Sequence, residues 1–389
     1  SKKACDHHSV YVLWGALASA RLHMMASAEE RVQHQDEDIH IGINVCLPSG
    51  KQKMFRLRST ASVEDLKEAI EEDSEMMPAI PSFVQLSYGH DILGHDLLLN
   101  TEFRDGHSVT AAIMPTVWIR PKSLTLKESS GSGHVDIVRQ GYFRGQEVVA
   151  KRLNGEDEFF ISPVESETLE KEVAALQSLD HSRLVKLIGI CMQPPCLLMV
   201  AECVDGVSLH HMLHKAKTPL RLSQQKQISL HVCDGITFLH SQAPPLVHEN
   251  LTSRSILLDK GFHAKISDFG LMQLIKKTFP SSNTGFPRYM APECFDCRGN
   301  VTEKVDVWAV GCVLVEIFGG PLPYDECANI QQVVTKQLIE KQAPLIPKDS
   351  PLELQEICLE CFHFDVNLRA AAQDVFRRLN EIQLSPEGK

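Results

Sequence analysis

The sequence contains no apolar run long enough to cross a membrane and no segment rich in positive charge. A membrane-spanning helix needs about 18 or more consecutive apolar residues, and no stretch of the chain reaches that length. Lys and Arg total 39 against 50 Asp and Glu, which gives a formal net charge of −11. Because nucleic-acid-binding domains concentrate positive charge on one surface, we expect neither a membrane span nor DNA or RNA as the main ligand.

The chain also lacks a regular spacing of its 12 cysteines. With 389 residues it is long enough to bury an apolar core without disulfide bonds. Irregular cysteines in such a chain indicate reduced thiols and a cytoplasmic location. Apolar residues make up 43% and charged residues 23% of the chain, which is typical of globular proteins. At roughly 150 residues a domain, the length predicts two or three domains.

Two interpretations of residues 1–38 are open. Lys2 and Lys3 precede an apolar run that ends in small residues, and this has the outline of a signal peptide. Apolar residues also recur at steps of three and four from Val10 to Ala28, which is typical of an amphipathic helix. We favour the helix, because the rest of the chain has an intracellular character. An acidic linker would then join it to the next segment.

Residues 39–114 have the pattern of a small mixed sheet with one helix. Apolar and polar residues alternate strictly from Ile39 to Leu47, the period of a half-buried strand. A helix is predicted from Ser62, whose hydroxyl can cap the first turn, with acidic residues at the positive end of the helix. The four predicted strands cover residues 39–47, 54–58, 84–88 and 109–113.

This order of two strands, a helix and two strands resembles the ubiquitin-like β-grasp family. The segments Gln85-Leu86-Ser87-Tyr88-Gly89 and Asp105-Gly106-His107-Ser108-Val109 fall where that family has matching strands and turns. The segment ends in Ile113-Met114-Pro115-Thr116, without the diglycine tail that conjugation requires. The resemblance therefore implies a docking module for a protein partner, such as another kinase or a protein of the ubiquitin-receptor type.

Residues 115–121 are a predicted linker, and ordered motifs follow it over residues 122–384. In chain order these motifs are Gly131 with Gly133, Val148-Val149-Ala150-Lys151, Glu172, Asp268-Phe269-Gly270, Ala291-Pro292-Glu293, Asp306 with Trp308 and Gly311, and Arg369. Together they resemble the protein kinase family along its whole length. The strings from Gly261 to Gly270 and from Gly285 to Met290 are similar to the tyrosine-kinase-like and receptor-interacting branch. The resemblance implies an α+β fold: a two-lobed (bilobal) kinase domain behind the β-grasp module.

The same resemblance implies a nucleotide pocket. Lys151 would hold the α and β phosphates of ATP, Glu172 would hold that lysine, and Asp268 would bind magnesium. The pocket residues implied are Gly131, Gly133, Val138, Lys151, Glu172, Glu202, Val204, Leu257 and Asp268. Ala201, at the gatekeeper position, would open space behind the pocket. Asp136 in the glycine loop and Val149 above the adenine position oppose binding, so ATP binding, with or without Mg²⁺, stays open.

The catalytic loop departs from the kinase pattern His-Arg-Asp-Leu-Lys-x-x-Asn. Asn250 occupies the position of the catalytic base, and a neutral amide cannot accept the proton of a substrate hydroxyl. Thr252 replaces the lysine that steadies the γ-phosphate. Ser255 replaces the asparagine that binds the second metal ion, so any Mg²⁺ would depend on Asp268 alone and bind weakly. No catalytic group of this loop is intact.

Two further substitutions accompany these changes. Glu249 replaces the arginine that would meet a phosphorylated activation loop, and it would repel phosphate. Phe286 stands where related kinases carry a threonine facing the catalytic loop. Ser281, Ser282 and Thr284 could accept phosphate from another kinase, but a solvated loop tip is the preferred interpretation.

Two Cys-x-x-Cys pairs have spacing that zinc sites use. They are Cys294 with Cys297 and Cys358 with Cys361. Cys358 and Cys361 are one helical turn apart on the same predicted face, so both can be thiols of the core. We favour core packing over a metal site.

The sequence therefore leads to three hypotheses. The first is a pseudokinase that acts as a signalling scaffold or allosteric regulator through a ubiquitin-like docking module. The second is a weakly active or unconventional protein kinase in which Asp268 holds the only metal ion. The third is an adaptor that binds a ubiquitin receptor, with the kinase segment only positioning it.

Overall fold

A computed structural model describes most of the chain between residues 40 and 382. The described residues are 40–73, 75–78, 81–94, 97–99, 103–127, 138–153, 163–193, 196–271, 273, 286–295 and 301–382. They form two compact units, one made of the described residues up to Ile70 with Gln85–Ala112, the other of Glu71–Val84 with the described residues from Ile113 onward. Several predictions lie outside the described residues: the leader 1–38, Gly131, Gly133, Asp136, Ser281, Ser282, Thr284 and Cys297.

The first sheet has five strands in the order β2-β1-β5-β3-β4. Its elements are β1 (His40–Cys46), β2 (Gln52–Arg58), α1 (Val63–Glu72), β3 (Ser82–Tyr88), β4 (Asp91–Ile92) and β5 (Ser108–Pro115). Strand β1 pairs antiparallel with β2 and parallel with β5. Ile41, Ile43 and Val45 of β1 are buried as the alternation predicted, but Gly42, predicted on the opposite face, is buried as well. The two-residue strand β4 was not predicted.

Helix α1 begins where the sequence predicted it. The Ser62 hydroxyl accepts a hydrogen bond from the backbone N–H of Asp65 at 3.2 Å, and the Asp65 carboxylate accepts one from the N–H of Ser62 at 2.7 Å. Each side chain thus satisfies a backbone donor that the first helical turn leaves unpaired. Val63, Leu66 and Ile70 are fully buried along one face. The helix is therefore held by its cap and by its apolar stripe together.

The second unit contains a six-stranded sheet in the order β6-β10-β11-β9-β8-β7. Its elements are β6 (Trp118–Ile119), β7 (Leu124–Leu126), β8 (Val138–Phe143), β9 (Gln146–Arg152), α2 (Pro163–Gln177), β10 (Leu187–Gln193) and β11 (Cys196–Glu202). Strand β6, from the predicted linker, pairs parallel with β10. The indole N–H of Trp118 donates to the carboxylate of Glu170 on α2 at 2.5 Å. The linker residues are thereby part of the sheet edge and touch the neighbouring helix.

A mainly helical lobe completes this unit. It contains β12 (Gly206–Ser208), α3 (Leu222–His240), β13 (Ile256–Asp259), β14 (Ala264–Ile266), α4 (Lys304–Ile317), α5 (Ile330–Val334), α6 (Leu352–Cys361) and α7 (Ala372–Glu381). Every residue of α4 from Val305 to Ile317 is buried, so this helix is the axis of the lobe. Strands β12, β13 and β14 form a small sheet. The segment 248–255 immediately precedes β13 and Asp268 follows β14, so this sheet holds both site segments side by side.

The lobe is further held by an ion pair between distant parts of the chain. The guanidinium of Arg369 binds both carboxylate oxygens of Glu293, at 2.6 and 2.9 Å, and the Arg369 side chain is fully buried. Both residues belong to the motifs by which the sequence resembles the kinase family, and their spacing suits an ion pair. No helix among the described residues is both long and apolar enough to span a bilayer.

Candidate functional site

The ammonium group of Lys151 and the carboxylate of Asp268 form the centre of the site. Lys151 Nζ lies 3.0 Å from Asp268 Oδ2. Lys151 is held by β9, in the middle of the six-stranded sheet, and Asp268 follows β14 with a left-handed φ of 66°. Glu172, the predicted partner of Lys151, lies half-buried on α2. The structure thus brings together Lys151, which the sequence predicted to hold phosphate, and Asp268, which it predicted to bind magnesium.

Gly270 allows the chain to turn directly after Asp268. Its φ is 69°, a region that L-residues rarely adopt, and a Cβ atom here would lie 2.5 Å from Cδ2 of Leu176 on α2. The backbone conformation therefore favours glycine, and a larger residue would also require the Leu176 side chain to move. This contact couples the helix that carries Glu172 to the segment that carries Asp268.

A cavity of about 280 Å³ adjoins this ion pair. Six of the predicted pocket residues line it: Val138, Lys151, Glu202, Val204, Leu257 and Asp268. Val149 and Ala201 also line it, as expected from their assigned positions. The lining is mainly apolar, with a few converging polar groups, which is typical of small-molecule sites. The volume lies near the lower end of such sites.

The sequence missed several lining residues and one ion pair. The lining residues outside the predicted pocket set are Gln140, Val185, Leu187, Met199, Cys203, Arg254, Ser267 and Phe269. Glu202, assigned only a backbone role, places its carboxylate 2.5 Å from Nζ of Lys265 and accepts the N–H of Lys186 at 2.9 Å. Because Glu202 ends β11 and Lys265 lies on β14, this pair connects the two lobes behind the cavity. No motif signalled it, since the partners are 63 residues apart.

The catalytic-loop backbone is anchored by Asp306. Its buried carboxylate accepts the N–H groups of His248 at 2.7 Å and of Glu249 at 2.9 Å. The His248 imidazole contacts the carbonyl oxygen of Ser267 at 2.9 Å, one residue before Asp268. The framework that positions a kinase catalytic loop is therefore present, although the chemical groups on that loop have changed.

The two hydroxyls of this loop are engaged with the loop itself. Ser255 Oγ donates to the carbonyl of Thr252 at 2.9 Å and accepts the N–H of Thr252 at 3.0 Å. Thr252 Oγ1 accepts the N–H of Arg254 at 3.1 Å. Both side chains are buried. Both hydroxyls are therefore used in hydrogen bonds within the loop.

Asn250 lies next to a small internal cavity. Its Oδ1 atom is buried and has no hydrogen-bond partner among the described residues. The cavity, about 20 Å³ in volume, is lined by Asn250, Leu251, Phe286 and Tyr289 among others. Phe286 is half exposed and lies 5.8 Å below the Arg254 guanidinium. The residue at the base position is thus bordered mainly by apolar groups, although Glu249 and Asp306 also line the cavity.

The second cysteine pair belongs to the core. Cys358 and Cys361 are buried on α6, and burial raises the pKa of the Cys358 thiol to about 12. Burial also raises the pKa of Cys361 well above its usual value. This confirms the core-packing interpretation for these two residues.

Comparison with known proteins gives the same family as the motifs. Residues 124–379 match the family described as protein tyrosine and serine/threonine kinase. A probable serine/threonine-protein kinase of Dictyostelium discoideum is 32% identical over 263 residues, which is 67% of this chain and 28% of that protein. The Arabidopsis thaliana serine/threonine-protein kinase CTR1 is 35% identical over 243 residues, 61% of this chain and 29% of the relative. Serine/threonine-protein kinase STY46 of the same plant is 30% identical over 278 residues, which is 70% of this chain and 47% of that protein.

These relatives are substantially longer than the matched region, so the chain spans less than half the length of each. The match covers the six-stranded sheet from β7 onward and the helical lobe. It does not include the first five-stranded sheet.

Proposed function

Since the chain belongs to the protein tyrosine and serine/threonine kinase family, we propose that it is a pseudokinase, a member that binds nucleotide without efficient phosphate transfer. The observation that carries this proposal is Asn250 at the base position, with its Oδ1 atom unpaired beside a largely apolar cavity. General-base catalysis contributes roughly 10²–10⁴-fold to rates. An amide supplies none of this, because it has no basic lone pair at neutral pH.

Nucleotide binding is the part of kinase chemistry that the remaining residues support. In this proposal Lys151 pairs with nucleotide phosphates, and Glu202 and Val204 offer backbone groups to the base. Asp268 has the carboxylate that Mg²⁺ prefers, but the Ser255 hydroxyl is committed to Thr252. The residues present therefore fit one magnesium ion. When bound, that ion would neutralise phosphate charge beside Lys151.

A bound nucleotide would act as a structural ligand in a signalling scaffold or allosteric regulator. The site lies where β9, β14 and the end of β11 meet, so an occupant that contacts all three stabilises the closed arrangement of the lobes. Any partner that recognises this arrangement would bind more tightly in the presence of nucleotide.

We further propose that residues 39–114 form a ubiquitin-like β-grasp docking module, followed by the linker 115–121 and the kinase-like domain 122–384. The parallel pairing of β1 with β5 at the middle of the first sheet, with α1 between β2 and β3 in the chain, supports this assignment. The partner that binds this module would be a protein. The cysteines that the structure describes are free thiols, which supports a cytoplasmic location for both domains.

A weakly active kinase is the second candidate. The Lys151–Asp268 pair and the Asp306 anchor of the catalytic loop favour it, as do relatives whose names are those of serine/threonine kinases. In that case Asp268 would hold the only metal ion. The two candidates differ in one measurable quantity, the rate of phosphate transfer.

The test is transfer from γ-labelled ATP to the full chain and to generic protein substrates, beside a thermal-shift titration with ATP and Mg²⁺. The pseudokinase predicts a nucleotide-dependent rise in Tm without transfer above that of Lys151→Met. Transfer that Lys151→Met abolishes would establish the second candidate. If ATP does not raise Tm, nucleotide binding is not part of the function.

A further inference from the structure

A buried cluster of two histidines and one glutamate lies in the helical lobe, apart from the nucleotide cavity. His210 follows β12, and His214 lies one helical turn later in the π-helical turn His211–Lys215. Their rings are 5.0 Å apart between centroids. Glu316 lies near the end of α4, the central helix, and is only 1% exposed. Spacing of four residues places two imidazoles on one helical face, as in known zinc-binding helices.

The three side chains converge on one point. His214 Nε2 is 2.7 Å from Glu316 Oε2, and the ligand atoms of His210, His214 and Glu316 all lie within 4.8 Å of one another. The hydroxyls of Ser253 and Tyr289 also reach the glutamate, at 2.8 and 2.7 Å. Ser253 Oγ is also 3.5 Å from His210 Nδ1. The cluster therefore offers two imidazoles, one carboxylate and two hydroxyls around a common centre.

The position of Glu316 favours a cation at this cluster. A charged carboxylate in the interior is strongly disfavoured unless it is paired or coordinates a metal. Ser253 and Tyr289 offer it only neutral hydroxyl donors. A metal ion bound by the two imidazoles would supply the positive charge, and imidazole coordinates metal ions in its neutral form.

We propose that His210, His214 and Glu316 bind one Zn²⁺ ion as a structural site. Two histidines and one carboxylate are a known protein ligand set for zinc, and tetrahedral coordination leaves a fourth position that the Ser253 or Tyr289 hydroxyl, or a water molecule, can occupy. Zinc bonds of about 2.0–2.2 Å place neighbouring ligand atoms about 3.3 Å apart. The present separations, from 2.7 Å between His214 and Glu316 to at most 4.8 Å within the cluster, bracket that value.

The zinc ion would connect three parts of the lobe. Glu316 belongs to the central helix, His210 and His214 to the turn after β12, and Ser253 to the catalytic loop. A structural zinc site stabilises the folded state directly, because the unfolded chain does not preform the site. This role is independent of whether nucleotide binds, so it stands or fails separately from the pseudokinase proposal.

The test uses the full chain, stripped of metal with a chelator and returned to buffer. Zn²⁺ binding is measured by isothermal titration, and Tm is measured with Zn²⁺, Mg²⁺ or no metal. We expect one high-affinity Zn²⁺ per chain and a Tm that rises with Zn²⁺ but not with Mg²⁺. Affinity should fall by at least about 100-fold in His210→Asn and in His214→Asn, as expected when a direct ligand is removed. His211→Asn is the matched control, since His211 is exposed on the same turn.

The 12 cysteines of the chain are the main competitors for zinc. Replacing Zn²⁺ with Co²⁺ distinguishes cysteine sites from the proposed site, because thiolate ligands give charge-transfer absorption that imidazole and carboxylate ligands do not. A Co²⁺ spectrum without thiolate bands supports the site, and it is measured on the unaltered chain, so it does not depend on the folding of a variant. Thiolate bands, no high-affinity Zn²⁺, or equal losses in His211→Asn would overturn the proposal and leave a hydrogen-bonded cluster with a protonated histidine.

Discussion

The Ser255 hydroxyl and the Thr252 backbone form a closed pair of hydrogen bonds, 2.9 Å to the carbonyl and 3.0 Å from the N–H. These two residues stand where kinases carry the second metal ligand and the phosphate-binding lysine. Their side chains are buried and engaged with the loop, so the loop has become a structural element. This arrangement determines how phosphate transfer should respond when the kinase residues of the loop are restored.

Restoring the base alone should not restore transfer. Asn250→Asp supplies a carboxylate, but Thr252 and Ser255 still leave phosphate and metal unsupported, so we expect no rate above that of Asn250→Ala. The combined change of Asn250→Asp, Ser255→Asn and Thr252→Lys should give measurable transfer from labelled ATP, with the base supplying about 10²–10⁴-fold. Substantial turnover by the single variant would show that the loop hydroxyls are not limiting.

The magnesium dependence of nucleotide binding should depend on Asp268. Asp268→Asn removes the carboxylate that Mg²⁺ prefers but keeps the size of the side chain. We expect ATP to raise Tm equally with and without Mg²⁺ in this variant, whereas Mg²⁺ enhances the rise in the unaltered chain. Lys151→Met, in contrast, should lose the ATP-dependent rise in both conditions. Persistent Mg²⁺ enhancement in Asp268→Asn would place the metal on other groups.

An added methyl group should destabilise the protein more at Gly270 than at Gly319, a glycine that also has a left-handed backbone conformation. Gly270→Ala incurs the left-handed backbone cost of about 1–2 kcal/mol and also meets Leu176 Cδ2 at 2.5 Å. Gly319 has a φ of 87° and nothing within 4 Å of an added Cβ, so Gly319→Ala incurs the backbone cost only. Urea unfolding should show the larger loss for Gly270→Ala.

A double-mutant cycle then isolates the contact between the helix and the turn. If the extra loss in Gly270→Ala comes from Leu176, the combination with Leu176→Ala should show a favourable coupling energy. Additive losses would mean that the backbone conformation alone accounts for the effect.

Truncating Arg369 should strongly destabilise the protein, because it breaks the buried ion pair with Glu293. Arg369→Ala leaves the Glu293 carboxylate without its bidentate partner, and breaking such a pair costs about 3–5 kcal/mol. Arg369→Lys keeps the charge but loses the planar double contact, so we expect an intermediate loss. Chemical denaturation of both variants measures this. Equal stability of the lysine variant and the unaltered chain would show that charge alone is sufficient.

Stability should fall as the pH is lowered from about 6.5 to 4, in part through His231. Burial, with a further contribution from Arg183, lowers the pKa of His231 to about 4, and its Nδ1 accepts the N–H of Ala264 at 3.2 Å. The unfolded chain, where His has a pKa of about 6.5, binds a proton in this range and the folded chain does not, so acid favours unfolding. His231→Gln should flatten the Tm profile between these pH values. An unchanged slope would assign the effect to other groups.

The sequence was sufficient wherever the relevant information is local or chemical. Strand β1 and the start of helix α1 after Ser62 follow from alternation and capping, which act between residues close in the chain. The change at Asn250 is visible because its consequence depends on which functional group is present. Strand β6 was not predicted, because two residues carry no periodicity and pair only when a partner strand is in place.

What the sequence determined by itself is the family and the presence of an asparagine, Asn250, where the kinase pattern has the catalytic aspartate. The tertiary structure alone decided that Lys151 meets Asp268, that Glu202 meets Lys265, and that two histidines converge on Glu316. These groups lie between 63 and 117 residues apart. Such pairs form only when packing closes long loops, and no local pattern records which side chains will then be within a few ångströms of one another.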